Sequence, residues 1–394
     1  MLVAINKMSQ QVKFQLRRDT AANWTANNPI LAVGEPGYET PSGSSGNQMK
    51  LGNGVTGWNS LPYLAGSGST GPGLLLPPRM VAVGQGTNTI LTSTDGIGWT
   101  GVASGQFTSF GNGVAWNGSR WIAVGYGGNS ILTSTDGLGW TGVTGTTFIA
   151  QGNGVASNGS RWVAVGQGTN TILTSTDGLG WTGVNGTTFP NYGFGVAWNG
   201  SRWIAVGSDT PTGGNTILTS TDGLGWTGVN GTTFTNNGNG VAWNGSRWIA
   251  VGAGGNTILT STDGIGWTGV NGTTFSDYGF GVAWNGSRWV AVGSGGNTIL
   301  TSTDGLGWTG IGNPFTTQGL GVTWNGSRWI AVGSGGNTIL TSTDGLGWTG
   351  VTGTTFSDYG FGVASNNVWA TTPASSEEAS AKLLQFLYYK YGPI

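Results

Sequence analysis

The chain has 394 residues, of which 79 are Gly, while only 7% are charged and the formal net charge is −1. It contains no Cys and no His, which excludes disulfide frameworks, thiolate or imidazole metal ligands and a Ser-His-Asp triad. So small a net charge provides no electrostatic surface for nucleic acid or an anionic membrane. The 21 Trp residues favour a packed interior over disorder.

The N-terminal sequence, MLVAINKMSQQVKFQLRR, lacks the apolar core and the cleavage site of a secretory signal. No segment of the chain approaches the roughly 18 consecutive apolar residues of a membrane-spanning helix. We therefore expect neither export through such a signal nor membrane insertion.

Residues 1–64 do not repeat, and their short apolar runs, VKFQL and ILAV, are too small for a robust independent core, which favours completion by oligomerisation. The stretch from Phe14 to Thr40, continued from Lys50 to Tyr63, resembles the N-terminal domain of phage tail fibres of the major-tropism-determinant type. The insert 41–46 departs from that pattern. The matching positions include Arg17, Arg18, Trp24, Pro29, Gly34, Glu35, Gly37, Trp58 and Tyr63.

This resemblance implies that residues 1–64 form a small β-rich module that attaches to other virion proteins of the tail, baseplate or capsid. It also implies that the module trimerises with its copies, while the C-terminal domain meets the host. Residues 65–79 are rich in Gly, Ser and Pro, which is typical of a flexible linker.

Internal repeats occupy residues 80–370. The string S-T-D-G-[IL]-G-W occurs seven times at steps of 40 to 45 residues, and N-G-S-R-W-[IV]-A-V-G occurs six times. Each repeat contains four short β-branched or aromatic runs separated by Gly, Asn, Asp and Ser, such as GVAWN (113–117), RWIAVG (120–125), SILTST (130–135) and GWTGV (139–143). Four strands in a period of about 40–45 residues predict a β-propeller.

The two ends of the repeat region complement each other. The region begins at Met80 with the second strand of a repeat, and it ends with a lone first strand, FGVASN (361–366). We therefore predict an all-β fold with a seven-bladed propeller that is closed by its N- and C-terminal strands, which leaves no free sheet edge.

The seven S-T-D-G strings resemble the Asp-box of sialidase-like propellers, S-x-D-x-G-x-[TS]-W, with one residue fewer before the Trp. The resemblance implies a structural motif at the hairpin between the third and fourth strands, away from any catalytic pocket. From the residues themselves, we expect the Asp to accept backbone N–H groups, the Gly to adopt positive φ and the Trp to pack between blades. The aspartates are Asp95, Asp136, Asp177, Asp222, Asp263, Asp304 and Asp344.

Glycoside hydrolysis needs two carboxylates at a set separation. Between Met80 and Ala370 there is no Glu, and the six Arg all occupy one repeated turn, where we expect them to point outward without converging. Outside the S-T-D-G strings only Asp209, Asp277 and Asp358 remain. We therefore expect no enzymatic activity, no cofactor and no metal site. A glycan hydrolase that uses Asp277 and Asp358, and calcium bound at a loop, stay as alternatives.

The Asn-Gly-Ser strings have two interpretations. They match the N-glycosylation acceptor pattern N-x-[ST]. They also place Asn-Gly between two apolar runs, which is the strongest short hairpin signal and tolerates φ > 0 at both residues. We favour the hairpin.

The repeats differ from one another mainly on one rim of the predicted propeller, where the blade-to-blade crossovers and the second–third loops lie. Loops held by a rigid scaffold commonly carry binding residues. Alternatively, the Phe residues of the crossovers could plug gaps between blades, and unselected drift could produce the same variation. The predicted ligand-binding residues are Tyr192, Phe194, Asp209, Asp277, Tyr278, Phe280, Asp358, Tyr359 and Phe361.

Residues 371–394 predict a short C-terminal helix, with Ser375 or Ser376 as its cap and Glu377 and Glu378 in its first turn. Apolar residues cover most of its circumference, so we expect it to be buried. It could pack on the propeller, on the N-terminal module or on another subunit, and packing within the chain is favoured.

Together these features predict a non-enzymatic virion surface protein, a phage tail fibre or receptor-binding adhesin assembled in the host cytoplasm. Its propeller would bind a host-surface glycan or protein, with glycan favoured, and the chain would form a homotrimer. One alternative is a decoration or minor virion protein that binds other virion components, and the other is the glycan hydrolase.

Overall fold

The computed structural model describes residues 17–31, 36–40, 48–51, 54–61, 63–65, 79–103, 105–184, 186–208, 214–229, 233–270 and 272–366. The chain divides into two compact units, Met1–Pro77 and Pro78–Ile394, at a point within the predicted linker. The predicted C-terminal helix and Asp209 lie outside the described residues.

The N-terminal unit contains one four-stranded sheet. Its strands, in spatial order, are β1 (Arg17–Thr20), β2 (Pro36–Thr40), β3 (Gln48–Leu51) and β4 (Tyr63–Ala65). Strand β1 is parallel to β2, whereas the other neighbours are antiparallel. A short helix, α1 (Ala21–Asn27), follows β1, and a 3-10 turn spans Trp58–Ser60.

Helix α1 was not expected from the sequence. It starts at Thr20, whose Oγ1 accepts a hydrogen bond from the Asn23 backbone N–H (3.3 Å). It ends at Asn28, which takes the left-handed conformation (φ 38°) that closes many helices. Local capping in a polar segment therefore produced a helix where apolar periodicity predicted none.

Two tryptophans form the centre of the N-terminal unit. The rings of Trp24 and Trp58 stack with centroids 4.1 Å apart, next to the fully buried Leu31. The buried Lys50 donates from Nζ to the Trp58 carbonyl oxygen (2.8 Å), and a Cβ added to Gly37 would collide with the Trp58 ring. Several positions that carry the tail-fibre resemblance are thus core positions.

The second unit consists of short strands throughout its described part. The first group is β5 (Met80–Gln85), β6 (Ile90–Ser93), β7 (Gly98–Gly101), β8 (Phe110–Trp116), β9 (Trp121–Tyr126), β10 (Ile131–Ser134), β11 (Thr141–Gly142) and β12 (Thr144–Gly145). Next come β13 (Gln151–Ser157), β14 (Trp162–Gln167), β15 (Ile172–Ser175), β16 (Gly180–Gly183), β17 (Gly193–Trp198), β18 (Trp203–Gly207), β19 (Ile217–Ser220) and β20 (Thr227–Gly228).

The remaining strands continue the same order. They are β21 (Asn237–Trp243), β22 (Trp248–Ala253), β23 (Ile258–Ser261), β24 (Thr268–Gly269), β25 (Gly279–Trp284), β26 (Trp289–Gly293), β27 (Ile299–Ser302) and β28 (Thr309–Gly310). The last are β29 (Gln318–Trp324), β30 (Trp329–Ser334), β31 (Ile339–Ser342), β32 (Thr349–Gly350), β33 (Thr352–Gly353) and β34 (Tyr359–Ser365).

Each sequence repeat forms four antiparallel strands in chain order. We number the repeats I (β34 with β5–β7), II (β8–β11), III (β13–β16), IV (β17–β20), V (β21–β24), VI (β25–β28) and VII (β29–β32). The second strand of each repeat is buried on both faces, which explains why it reads as an unbroken apolar run such as WIAVG. The second unit is therefore all-β, with a propeller-like repeat fold.

Repeat I combines strands from distant parts of the chain. Strand β34 pairs antiparallel with β5, from Tyr359 opposite Gln85 to Ser365 opposite Met80, with a shift between Gly360 and Gly362. The pair β8–β9 within repeat II has the same register and the same shift. In repeat I the first strand thus comes from a distant part of the chain, whereas in repeat II the first and second strands are consecutive in sequence.

The hydrophobic core lies between successive repeats. One cluster combines Ile122 and Val124 of repeat II with Trp162 and Trp181 of repeat III. Another combines Ile330 and Val332 of repeat VII with Trp99 of repeat I. Since alternate residues of a strand face opposite sides, each buried strand serves two such clusters.

Candidate functional site

The S-T-D-G turns are closed by their own side chains. In repeat I, Asp95 Oδ1 accepts hydrogen bonds from the backbone N–H groups of Ile97 (2.8 Å) and Gly98 (2.9 Å). The Ser93 hydroxyl donates to the same Oδ1 (3.1 Å) and accepts from the Gly96 N–H (2.9 Å), and Gly96 has φ 77°. The other six turns repeat these partners, so this polar chemistry serves the turn itself.

These hydrogen bonds change the acidity of the seven aspartates. The backbone N–H groups of Ile97 and Gly98 hold the pKa of Asp95 below its ordinary value, because they stabilise the carboxylate. At Asp136 the largest single influence is burial, which raises the pKa, but the hydrogen bonds together lower it. The pKa is lowered at the remaining five aspartates for the same reason as at Asp95.

In the N-G-S-R turns, too, the backbone N–H groups are hydrogen-bonded by a side chain of the same turn. Asn117 Oδ1 accepts from the backbone N–H groups of Ser119 (3.0 Å) and Arg120 (2.8 Å), while Gly118 has φ 101°. Asn117 itself has no positive φ, so the turn is a four-residue turn held by the Asn side chain rather than the two-residue turn expected from Asn-Gly.

The arginines of these turns were expected to point outward, and the structure contradicts this. Arg120 is half-buried, and its Nη1 donates to Thr133 Oγ1 (3.0 Å) in the third strand of the same repeat. Its aliphatic stem lies against the next repeat, where a Cβ added to Gly178 would be 3.0 Å from Arg120 Cδ. The arginines brace neighbouring repeats and, as expected, do not converge on one site.

One further turn of this kind is assembled from two distant segments. Asn366 Oδ1 accepts from the Arg79 backbone N–H (2.6 Å), and the Asn366 N–H donates to the Arg79 carbonyl oxygen (3.0 Å). Asn117 and Arg120 make the same two hydrogen bonds within one continuous turn. Arg79 is therefore a seventh arginine of the repeat, which sequence reasoning missed because it lies one residue before the recognised start.

The first strands contribute to one cavity of about 170 Å³, which is lined by one Gly-Val pair from each repeat. A Cβ added to Gly113 would lie 2.7 Å from the Asn153 carbonyl oxygen of the next repeat, which explains the Gly. Asn112 reinforces that contact by donating from Nδ2 to the Gly152 carbonyl oxygen (2.9 Å). Because only Gly and Val residues line this cavity, it has no titratable side chain in its lining.

The predicted binding residues on the crossovers form three stacked aromatic pairs. Each pair joins a Tyr to the Phe two residues later, with nearly parallel rings whose centroids are 5.5 to 5.6 Å apart. The three Phe rings are half-buried, whereas Tyr278 and Tyr359 are 43% and 37% exposed. Asp277 and Asp358 are exposed beside these tyrosines. The pairs are Tyr192–Phe194, Tyr278–Phe280 and Tyr359–Phe361.

The structure brings each pair together but does not join one predicted pair to another by a ring contact among the described residues. It adds aromatic residues that the sequence reasoning missed. The Phe110 ring lies 5.8 Å from that of Phe361 and 5.4 Å from that of Tyr126. Comparing the repeats position by position would have found both, because Phe110 aligns with Tyr192, and Tyr126 replaces the Gln, Ser or Ala of other repeats.

Within the described ranges, no three acidic side chains come close enough to hold a metal ion. In the same part of the chain, no helix has the length and apolar character needed to cross a membrane. The described residues form hydrogen-bonded turns on one face and three Tyr–Phe pairs on the other, and two of those pairs have an exposed Tyr.

Comparison with known proteins bears mainly on the N-terminal segment. No curated protein matches the chain. Among solved structures, the computationally designed Ika8 protein is similar, with 11% identity and a TM-score of 0.48, covering 72% of this chain and 93% of that chain. Residues 14–56 match the family model of the major tropism determinant N-terminal domain, which supports a phage tropism-determinant-like protein and a component of the virion.

Proposed function

We propose that this chain is a phage tail fibre or receptor-binding adhesin on the virion surface. Residues 1–64 attach it to other virion proteins, and the repeat domain binds a glycan on the host surface. The observation that carries the proposal is the match of residues 14–56 to the tropism determinant domain. The three stacked Tyr–Phe pairs, of which Tyr278 and Tyr359 are exposed, support a binding surface on the crossovers.

The repeat domain is proposed to be a closed propeller of seven blades with Asp-box-type turns. Three observations support closure: β34 pairs with β5, repeats VII and I share a hydrophobic cluster, and one Gly-Val pair from every repeat lines the same cavity. A Cβ added to Gly362 would also lie 2.5 Å from the Asn112 carbonyl oxygen. The same relation links Gly113 to Asn153, so one neighbour contact recurs from repeat to repeat.

Glycan binding is supported by the chemistry of the crossovers. A tyrosine ring provides an apolar face and a polar hydroxyl, and a carboxylate accepts hydrogen bonds from sugar hydroxyls. Asp277–Tyr278 and Asp358–Tyr359 present this combination twice with exposed side chains. The seven aspartates of the S-T-D-G turns are instead engaged by backbone N–H groups.

We propose binding without catalysis. Glycosidase carboxylates flank one bond at separations of about 5 to 10 Å. Asp277 and Asp358 belong to repeats VI and I, between which repeat VII lies along the strand order, and residues 80–370 contain no Glu or His. The same surface would therefore hold a glycan without cleaving it.

The test is attachment of the fluorescently labelled full chain to a panel of bacterial cells. A triple variant, Tyr192→Ala, Tyr278→Ala and Tyr359→Ala, is expected to lose attachment to the cells that the unaltered chain binds. The matched control is Leu138→Ala, Leu224→Ala and Leu306→Ala, which removes three 44%-exposed apolar side chains from the S-T-D-G turns. Equal attachment by the crossover variant and the control would overturn the assignment to the crossovers.

The nature of the ligand is tested on the same cells. Mild periodate, which cleaves sugar diols, is expected to abolish attachment, whereas protease treatment leaves it intact. The reverse result would replace the glycan by a protein receptor. Attachment to purified virions but to no cells would support the decoration protein instead.

Trimerisation is tested by sedimentation of the full chain. The expected species has three times the 40.2 kDa mass of one chain. A monomer at all concentrations would remove the trimer from the proposal.

A further inference from the structure

Repeat II departs from its neighbours at three positions that lie together. Ser130 stands where the other six repeats have Thr, Tyr126 stands where they have Gln, Ser or Ala, and Ile149 stands where they have Thr, Ser or Pro. All three residues line one open cavity of about 190 Å³ between the loop 126–130 and the crossover 148–150. Repeat II therefore differs from the other repeats at three positions that are close in space.

Ser130 has lost the hydrogen bond that its counterparts make. In each other repeat, the Thr Oγ1 donates to the carbonyl oxygen of the crossover Phe, for example Thr171 to Phe189 (2.9 Å) and Thr257 to Phe275 (3.0 Å). The β-branch of Thr restricts the hydroxyl to few rotamers, and Ser lacks that restriction. Ser130 is only 7% exposed, and its Oγ has no hydrogen-bond partner.

An unpaired buried hydroxyl is costly, so such groups usually have a partner. Among the described residues, two buried hydroxyls lack one, those of Ser130 and Ser334. Ser130 lines the cavity, together with Phe148, whose carbonyl oxygen does not receive the hydroxyl that the other repeats supply. The Ser130 hydroxyl is covered in this structure, and a rotation about χ1, which Ser makes more freely than Thr, would turn this unpaired donor–acceptor toward the cavity.

Two exposed side chains, Tyr126 and Ile149, flank the cavity, whose other lining groups are mainly polar. Tyr126 is 45% exposed and Ile149 is 79% exposed, although Thr or Ser at the equivalent of Ile149 hydrogen-bonds a neighbouring loop in repeats V and VI. An enclosed apolar cavity of about 150 Å³ accommodates a benzene ring. The cavity beside Tyr126 is open to solvent, and its volume of about 190 Å³ is large enough for one six-membered ring.

The cavity also adjoins an aromatic row. Tyr126 contacts Phe110, Phe110 contacts Phe361, and Phe361 stacks on Tyr359, with successive ring centroids 5.4, 5.8 and 5.5 Å apart. The row runs from the cavity in repeat II to the exposed Asp358–Tyr359 pair of repeat I. A chain of sugar rings could lie along it beyond the ring in the cavity.

We propose that the cavity beside Tyr126 is a further glycan subsite, which holds one hydroxyl-bearing pyranose ring. The ring lies between Tyr126 and Ile149, and one of its hydroxyls pairs with Ser130 Oγ after that side chain has rotated toward the cavity. This rests on the proposed function for its glycan chemistry, and it adds one subsite in repeat II to the Tyr–Phe pairs of the proposed binding surface.

The test uses the full chain and a panel of methyl pyranosides of glucose, galactose, mannose, rhamnose and N-acetylglucosamine, with binding followed by saturation-transfer NMR. At least one pyranoside is expected to bind. Ser130→Thr, which restores the repeat's own hydrogen bond to Phe148, is expected to weaken it about fivefold, the worth of one hydrogen bond. Tyr126→Ser is expected to weaken it about tenfold through loss of the ring contact.

Matched controls make the opposite or equivalent change elsewhere. Thr257→Ser in repeat V and Gln167→Ser in repeat III are expected to leave the pyranoside affinity unchanged. If the Ser130→Thr variant unfolds at or above the unfolding temperature of the unaltered chain, its weaker binding does not result from unfolding. Cyclohexylmethanol, which lacks ring hydroxyls, is expected not to bind.

Three results would overturn the proposal: no pyranoside binds, both cavity variants bind as the unaltered chain does, or cyclohexylmethanol binds equally well. If one of these results were found and the chain still attached to host cells, the cavity would be excluded as a glycan site and the proposed function would stand. Pyranoside binding that depends on Ser130, without attachment to any cell, would instead remove the proposed function and keep the site.

Discussion

The two faces of the repeat domain use the same strands in opposite ways. On the face with the S-T-D-G and N-G-S-R turns, each polar side chain closes its own turn or braces the next repeat, as Asp95 and Arg120 do. On the crossover face, Tyr278 and Tyr359 are exposed, and Ser130 is buried without a partner. The first face repeats almost without change, whereas the second differs from repeat to repeat.

This difference separates stability from recognition. In such a turn the Ser, Asp and Asn side chains cannot be replaced by apolar ones without losing a hydrogen bond. A crossover held by the buried Phe and the Thr hydroxyl can change its exposed residues freely, because those residues support little else. Substitutions on the two faces should therefore act on different measurements.

The largest effect is expected from the core that supports both faces. Trp248→Ala removes a fully buried ring and should lower the free energy of unfolding by about 3–5 kcal/mol. Tyr278→Ala removes a 43%-exposed ring and should change it by less than about 1 kcal/mol. Urea unfolding followed by Trp fluorescence measures both, and similar losses would show that the crossover rings are core.

Acid should act on the turn face through all seven aspartates together. Because their folded pKa values are lowered, the stability they contribute is present above the unfolded value of about 3.9 and is lost as pH falls through the folded values. The unfolding temperature should be constant from about pH 5 to 8, where no His titrates, and fall below about pH 4. A constant unfolding temperature down to about pH 2 would contradict this.

The turn that Asn366 and Arg79 form from two distant segments should lose more stability on substitution than a turn within one continuous segment. Asn366→Ala removes the acceptor for the Arg79 N–H and should cost about 1–2 kcal/mol of unfolding free energy. Asn285→Ala removes the same acceptor from a continuous turn and should cost about 1 kcal/mol. Thermal unfolding of the two variants gives the comparison, and a smaller loss for Asn366→Ala would argue against closure through this turn.

The smallest effect separates the two classes of aspartate. Asp177→Ala should destabilise the domain by about 1 kcal/mol and leave cell attachment intact, because its carboxylate accepts two backbone N–H groups. Asp277→Ala should leave stability unchanged and weaken attachment, because its carboxylate is exposed. If both variants lost only stability, Asp277 would belong to the scaffold.

Much of the repeat architecture was predictable, because it depends on local patterns. The repeated turns, the apolar second strands and the split first repeat are all visible in the printed sequence. The expected likeness of the N-terminal segment to tropism determinants is confirmed by the match at residues 14–56. The expected all-β character is confirmed for the described part of the chain, with α1 as the addition that capping by Thr20 explains.

The candidate site was only partly predictable. The Tyr–Phe pairs were visible as repeated crossovers, and their stacking follows from residues two apart on one strand face. Phe110 and Tyr126 were missed because their contact crosses two strands, and their link to Phe361 crosses two repeats. Whether an Arg points outward could not be read from its turn, because its partner Thr lies on another strand.

The repeat, the strand order and the variable positions could be read from spacing along the chain alone. Which variable residues meet, and which polar atoms lack a partner, depends on how distant segments pack against each other. Ser130 shows the reason: replacing Thr by Ser is a small change in sequence. Its consequence depends on the hydroxyl's distance from a carbonyl on another loop, and hence on how that loop packs.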